Sequence, residues 1–250
     1  DVKLKRGRLQ VTIPPYRCDI LHPVDLVEEV AIGFGYDKLK PAQPKVASTG
    51  RELESTVLKR KIRDLMVGFG FQEIVSYILS SREIQAERMQ LGEVEFMELA
   101  NPLTSEYAVA RVWLLPCLLE FLSRNTHVDY PQRIFECGDV ILVDREAETG
   151  TKVEGRVAAA ISDFKVSYED IQAVVYSLLD QLKVGGWRVE RLEHPSFIRG
   201  RAARIVLEGG GELAILGEVN PQVLEAFSLV NPVGVFELRL EPLMGLTVKI

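Results

Sequence analysis

The sequence predicts an α+β fold built on a mainly antiparallel sheet. Two observations carry that prediction. Strand-like runs follow one another more often than they alternate with helical runs, and the helical runs each carry a single apolar face. No internal repeat or low-complexity tract occurs. The 250 residues allow one large domain, or one domain plus part of another, and can bury a core without disulfide or metal staples. At 47% hydrophobic and 26% charged residues, disorder is excluded as the main state. A helical membrane span is excluded because no run of about 18 apolar residues occurs. The net charge of −6 excludes a chain that binds nucleic acid through its overall field.

The chain opens at Asp1 rather than Met and enters a basic run at once, which reads as a piece of a longer protein. A short strand over 9–13 is stopped by Pro14-Pro15, since proline cannot continue a central ladder. Leu26, Val27, Val30, Ala31 and Phe34 then fall at helical spacing, with Asp25 ahead of them as N-cap and Gly33 and Gly35 as the stop. Residues 41–50, rich in Pro, Ala and Ser, form a linker. Two domains are expected, a small α+β piece over 1–40 and a core over 41–250.

The core opens with the most legible helix of the chain, in which Leu58, Ile62, Leu65, Met66 and Phe69 form one stripe. Lys59, Arg60, Lys61 and Arg63 occupy the remainder of its surface. Gly68 and Gly70 close it, and strands are expected over 71–79 and 94–99. A leucine-rich helix carries Leu114, Leu115, Leu118, Leu119 and Leu122. Strands over 133–143 and 156–162 come next, then a helix with Ile171, Val174, Val175, Leu178, Leu179 and Leu182. Short strands near 187–191, 203–207 and 212–217 follow, the last two joined at Gly209-Gly210-Gly211, which suits a hairpin turn. A helix over 221–227 and a strand over 233–240 complete the core.

The sharpest chemical feature is acidic. Asp19 precedes Asp25, Glu28 and Glu29, and the last three can project together from one helical turn. Four hard oxygen ligands suit Mg2+. The helix macrodipole equally favours acids at a helix start, so spacing leaves metal and cap both open. The basic side of the 58–69 helix can face phosphates or simply water. Cys18, Cys117 and Cys137 follow no metal or redox spacing and read as buried thiols of a reducing cytoplasm. His194 with Arg199 and Arg201 can hold an anion or line a solvated loop. Glu136 and Glu237, both in expected strands, are a possible carboxylate pair. No nucleophile elbow, phosphate loop or dinucleotide fingerprint is present. No catalytic or cofactor-binding residue emerges.

Several segments in order resemble the β subunit of phenylalanyl-tRNA synthetase, archaeal or eukaryotic type. They are Pro14-Pro15-Tyr16-Arg17-Cys18-Asp19, then Asp25-Leu26-Val27-Glu28-Glu29-Val30-Ala31 with Gly33-Phe34-Gly35-Tyr36. Asn101-Pro102-Leu103 with Glu106 and Arg111, then Phe135-Glu136-Cys137-Gly138-Asp139-Val140, continue the match. Gly217-Glu218-Val219-Asn220-Pro221 and Phe236-Glu237-Leu238 complete it. The resemblance implies a class II aminoacyl-tRNA synthetase-like antiparallel sheet flanked by helices, preceded by the end of a small domain. In this family four acidic positions contact a Mg2+ shared with the α subunit, and they match Asp19, Asp25, Glu28 and Glu29.

The same resemblance implies an enzyme that joins phenylalanine to tRNA(Phe) through an adenylate made from ATP, in an α2β2 assembly. Active class II modules place one arginine in their second motif and another in their third. Here the first strand reads Ile134-Phe135-Glu136-Cys137, with Arg133 outside the expected position, and Pro242 stands near the place of the second arginine. The module is therefore expected to be catalytically silent, with ATP used by the whole enzyme and not bound by this chain. Arg239 is expected to face solvent or a subunit contact. The 58–69 helix corresponds to the motif through which such modules pair, so its stripe serves either that contact or the core. Two competing functions are an active ATP-dependent adenylating enzyme and a stand-alone synthetase-like binding module.

Overall fold

The computed structural model describes residues 1–45 and 49–244. The chain forms two compact units, Asp1–Gly50 and Arg51–Ile250.

In the first unit, β1 (Val2–Lys5) and β2 (Arg8–Val11) form an antiparallel hairpin in which Val2 faces Val11 and Lys5 faces Arg8. The initial basic run is thus half of a hairpin. Its turn, Arg6-Gly7, has positive φ at both positions, as a two-residue turn between twisted strands requires. Helix α1 (Pro23–Phe34) follows. Asp25 is not its N-cap, as the sequence pattern predicts. Pro23 takes the first helical position, where its missing N–H costs nothing, so His22 becomes the cap. The His22 ring accepts from the Val24 amide, while Asp25 Oδ2 accepts from the amides of Leu21 at 2.8 Å and His22 at 2.7 Å. Gly35, at φ 99°, ends the helix. No described residue of this unit is buried.

The second unit is a seven-stranded sheet with helices on both faces. Its strands are β3 (Gln72–Glu73), β6 (Gln132–Val143), β7 (Thr151–Ser162), β8 (Trp187–Arg191), β9 (Phe197–Leu207), β10 (Gly211–Val219) and β11 (Val233–Arg239). Their order is β3-β6-β7-β11-β10-β9-β8, and every pairing is antiparallel except β3 with β6. Helices α2 (Glu54–Gly68) and α4 (Tyr168–Gln181) lie on one face. There Leu58, Ile62, Met66, Ile171, Val175 and Leu178 pack with Phe135, Val157, Ala159 and Phe236. The α2 stripe is therefore core. Helix α3 (Leu115–Arg124) and α5 (Pro221–Ala226) lie on the other face, where Leu115, Leu118, Leu119 and Val223 meet Ile134, Ala158, Ala160 and Val235.

Two expected strands are much shorter than their composition predicts. Of 71–79, only Gln72–Glu73 joins the sheet, while β4 (Leu79–Ser80) pairs with β5 (Val109–Ala110) in a separate two-strand ladder. Between them Val75 and Tyr77 turn to solvent, 88% and 77% exposed, so β-propensity there finds no strand partner among the described residues. The 94–99 strand is reduced to a single bridge from Glu98 to Val109.

Candidate functional site

The four acidic positions of the first unit are not gathered around one point. Arg17 reaches both Asp19 and Glu29, donating to Asp19 through Nε and Nη2 at 3.0 and 2.9 Å and to Glu29 through Nη2. The Arg17 hydrogen bond holds the Asp19 carboxyl below its ordinary range. The His22 and Leu21 amides do the same for Asp25, whose Oδ2 is committed to the helix start. Glu28 stands exposed on α1. Among the described residues no three His, Cys, Asp or Glu side chains stand together as a metal-ligating group.

The chemistry-bearing groups of the second unit converge on the sheet face beneath α3. In the ladder Glu136 of β6 and Glu237 of β11 both face Ala158 of β7 from either side, so the two carboxylates point the same way with a methyl group between them. Both are buried. Arg111 approaches from the loop before α3 and donates through Nη1 to Glu136 Oε1 at 2.7 Å and through Nε to the Asp139 carbonyl at 2.8 Å. Ser76 donates to Glu136 Oε2 at 2.5 Å and accepts from Arg111. Gly138 leaves room for this pair. A Cβ there would stand 2.5 Å from Arg111 Nη2 and 2.9 Å from Glu136 Oε1.

Glu237 has a different task. Helix α3 begins after Leu114, which has no side chain to cap it, and Glu237 Oε2 accepts from the amides of Leu114 and Leu115 at 2.8 and 3.1 Å. Its other oxygen accepts from Arg156 Nη1 at 2.7 Å. The carboxylate pair thus divides into an ion-pair partner and a remote helix cap, with every oxygen engaged.

The remaining candidates are placed as follows. Arg133 points outward over the Phe71 ring at 5.9 Å. Arg239 is only about one-third exposed and pairs with Glu154 at 2.9 Å, which replaces the solvent-facing expectation: its strand neighbour Arg156 draws the same glutamate beneath both. The basic side of α2 is largely paired, Lys59 with Asp139, Arg60 with Glu52 and Arg63 with Glu73. Cys117 and Cys137 are buried, and burial pushes both thiols up to about 11, so neither is a nucleophile at neutral pH. Cys18 is exposed, contrary to expectation, because its unit has no buried position to offer. His194 packs against Trp113 and Phe197, its Nδ1 accepts from the Ser196 amide, and desolvation lowers its pKa. Arg199 pairs loosely with Glu193, and Arg201 with Glu218.

Sequence reasoning missed Ser76, Glu154 and Arg156, and took Arg111 only as part of a motif. The available signal is a charge set between buried apolar neighbours: Arg111 lies between Ala110 and Val112-Trp113, as Glu136 lies between Phe135 and Cys137.

The family model for the phenylalanyl tRNA synthetase beta chain CLM domain matches residues 39–240, and that for the tRNA synthetase B5 domain matches residues 1–36. The chain is 41% identical over 243 residues to the phenylalanine–tRNA ligase β subunit of Pyrococcus horikoshii, covering 97% of this chain and 43% of the relative. Identity to the Korarchaeum cryptofilum subunit is 41%, over 96% of this chain and 43% of that one. The chain thus spans under half the length of the curated relatives it matches. Among solved structures, a pyrrolysyl tRNA synthetase of Desulfitobacterium hafniense shares the fold with a TM-score of 0.62 at 17% identity, covering 76% of this chain and 68% of that one. The matched profiles, in this order along the chain, establish that it belongs to the phenylalanyl-tRNA synthetase β chain family.

Proposed function

We propose that this chain is the catalytically silent, class II-like part of a cytoplasmic phenylalanine-tRNA ligase β subunit. Its task is to scaffold the α subunit, which carries out the ATP-dependent joining of phenylalanine to tRNA(Phe). One observation carries this reading. On the sheet face beneath α3, the two buried carboxylates are consumed by the fold itself. Arg111, Ser76 and the Gly138 gap serve Glu136, while the start of α3 and Arg156 consume Glu237. The strand where an active module offers its first arginine reads Ile134-Phe135-Glu136-Cys137, all buried, and Pro242 follows the last strand. An α-facing contact falls to the segment after α2, where Val75 and Tyr77 are strand-forming, apolar and exposed.

Magnesium shared with α through Asp19, Asp25, Glu28 and Glu29 belongs to the same proposal. Arg17 now bridges two of these groups, so the cation has to displace it and draw further ligands from α. An α2β2 assembly and tRNA(Phe) contact through the whole enzyme complete the proposal. The test is phenylalanine-dependent ATP–pyrophosphate exchange, measured for this chain alone, for α alone and for the mixture. Exchange by this chain alone would overturn the silent assignment in favour of an active adenylating module.

A further inference from the structure

Among the described residues, the buried side-chain nitrogens and oxygens without a hydrogen-bond partner are the Nε atoms of Arg156 and Arg239. They are neighbours. Arg156 on β7 faces Arg239 on β11 directly across the ladder, so two like charges stand side by side on one face of the sheet. That arrangement is unfavourable by itself, and orphaned buried N–H groups add to its cost. Glu154 lies beneath both. Its Oε1 accepts from Arg239 Nη2 at 2.9 Å and from Lys152 Nζ at 3.3 Å, and its Oε2 from Arg156 Nη2 at 3.2 Å.

Glu237 also takes Arg156 Nη1 at 2.7 Å and Glu241 takes Lys152 Nζ at 2.9 Å, so three carboxylates meet these three cations and still leave both Nε–H groups unmatched. A guanidinium presents its Nε–H and one Nη–H as a fork that suits two oxygens of one anion. Glu154 meets each fork through a single Nη atom and leaves both Nε–H groups open, whereas a terminal phosphate offers three strong acceptor oxygens. The side chains of Lys152, Arg239 and Glu241 are between about one-third and two-fifths exposed, so the cluster opens to solvent on that side. Burial alone would raise the Glu154 carboxyl, yet Arg239, Arg156 and Lys152 hold it below its ordinary value, which measures the positive field there.

We propose that Lys152, Arg156 and Arg239 form a binding site for a terminal phosphate group, in which the Glu154 carboxylate is the built-in occupant that such a ligand displaces. Neither arginine stands where the family resemblance locates the arginines of an active module. The proposal is independent of the silent assignment, because the site recognises phosphate without acting on it.

The test is an NMR titration of inorganic pyrophosphate into this chain at low salt, observing the arginine Nε–H resonances. Those of Arg156 and Arg239 are expected to shift and to gain protection from exchange, and sodium chloride at equal ionic strength is expected to leave them in place. In Glu154→Gln, which removes one negative charge and keeps the shape, pyrophosphate is expected to bind roughly tenfold tighter or more. Adding Arg239→Gln should return affinity to the wild-type value or below. Dimethyl phosphate separates the sources. If it fails to compete, the ligand is a free or terminal phosphate, whereas equal competition by the diester would overturn the terminal-phosphate assignment and point to a nucleic-acid backbone. Unmoved resonances in the wild-type chain, or tight binding that survives Arg239→Gln, would overturn the site. The wild-type arm decides even if a variant does not fold.

Discussion

Arg111→Ala tests whether the face beneath α3 serves stability rather than chemistry. Arg111 and Glu136 have side chains 2% and 3% exposed and meet at 2.7 Å. Deleting the guanidinium leaves a buried carboxylate with Ser76 as its remaining donor, and strips the Asp139 carbonyl of its arginine contact. Breaking a buried pair from one side costs about 3–5 kcal/mol, because one charge remains uncompensated. Set against a typical domain stability of about 5–15 kcal/mol, that loss is large but survivable. The double variant Arg111→Met/Glu136→Leu removes both charges and replaces them with apolar bulk. Its loss should be about 2 kcal/mol or less, since the exposed-to-buried cost of two charges disappears with them. The assay is equilibrium urea unfolding of wild type, Arg111→Met, Glu136→Leu and the double variant, read as a double-mutant cycle, with Arg111→Ala measured alongside. We expect a coupling energy of about 2 kcal/mol or more. A cycle that closes additively to within about 0.5 kcal/mol, or an Arg111→Ala loss below about 1 kcal/mol, would refute the reasoning.

Three further predictions use other parts of the molecule. Gly138→Ala drives a methyl group into the Arg111–Glu136 pair and should cost about 1–3 kcal/mol in the same unfolding assay, with much of that loss recovered in the Arg111→Met/Glu136→Leu background. Glu154 is held below its ordinary value near 4.5, so its stabilising contribution is complete above that pH and disappears as pH falls through the lower folded-state value. Melting of Glu154→Gln between pH 6 and 3 should therefore show a shallower acid slope than wild type, and an unchanged slope would contradict the assignment. In the complex with α, Glu28→Gln/Glu29→Gln should lower bound Mg2+ measured by elemental analysis, and full retention would remove these residues from the ligand set.

Much of the fold was legible because its signals are local. The stripe Leu58, Ile62, Met66 and the leucines of α3 set helices by periodicity alone, and the glycine turn between β9 and β10 sits where Gly209 and Gly210 adopt positive φ. The misreadings arose where neighbours override propensity. Residues 71–79 look like a strand, but only Gln72–Glu73 meets a sheet partner, while Val75 and Tyr77 extend past the ladder. Proline at Pro23 moved the cap from Asp25 to His22.

The candidate site was less legible than the fold, since its members are brought together by register rather than by spacing. Glu136 and Glu237 were visible as strand acids. That both face Ala158, and that one serves Arg111 while the other caps α3, depends on strand order that no local pattern encodes. The Arg156–Arg239 pairing has the same origin. The acidic positions of α1 illustrate the converse. Their spacing resembles a ligand set, but Arg17 and the helix start engage three of the four side chains.

The central claim, that this chain scaffolds a catalytic partner, is tested most directly by the solution mass of this chain mixed with the matching α subunit. Light scattering after gel filtration should show a stable mixed complex, and Val75→Asp/Tyr77→Asp should weaken it without changing the melting of this chain alone. Separate elution of the two chains at micromolar concentration would contradict the claim that these 250 residues carry the contact.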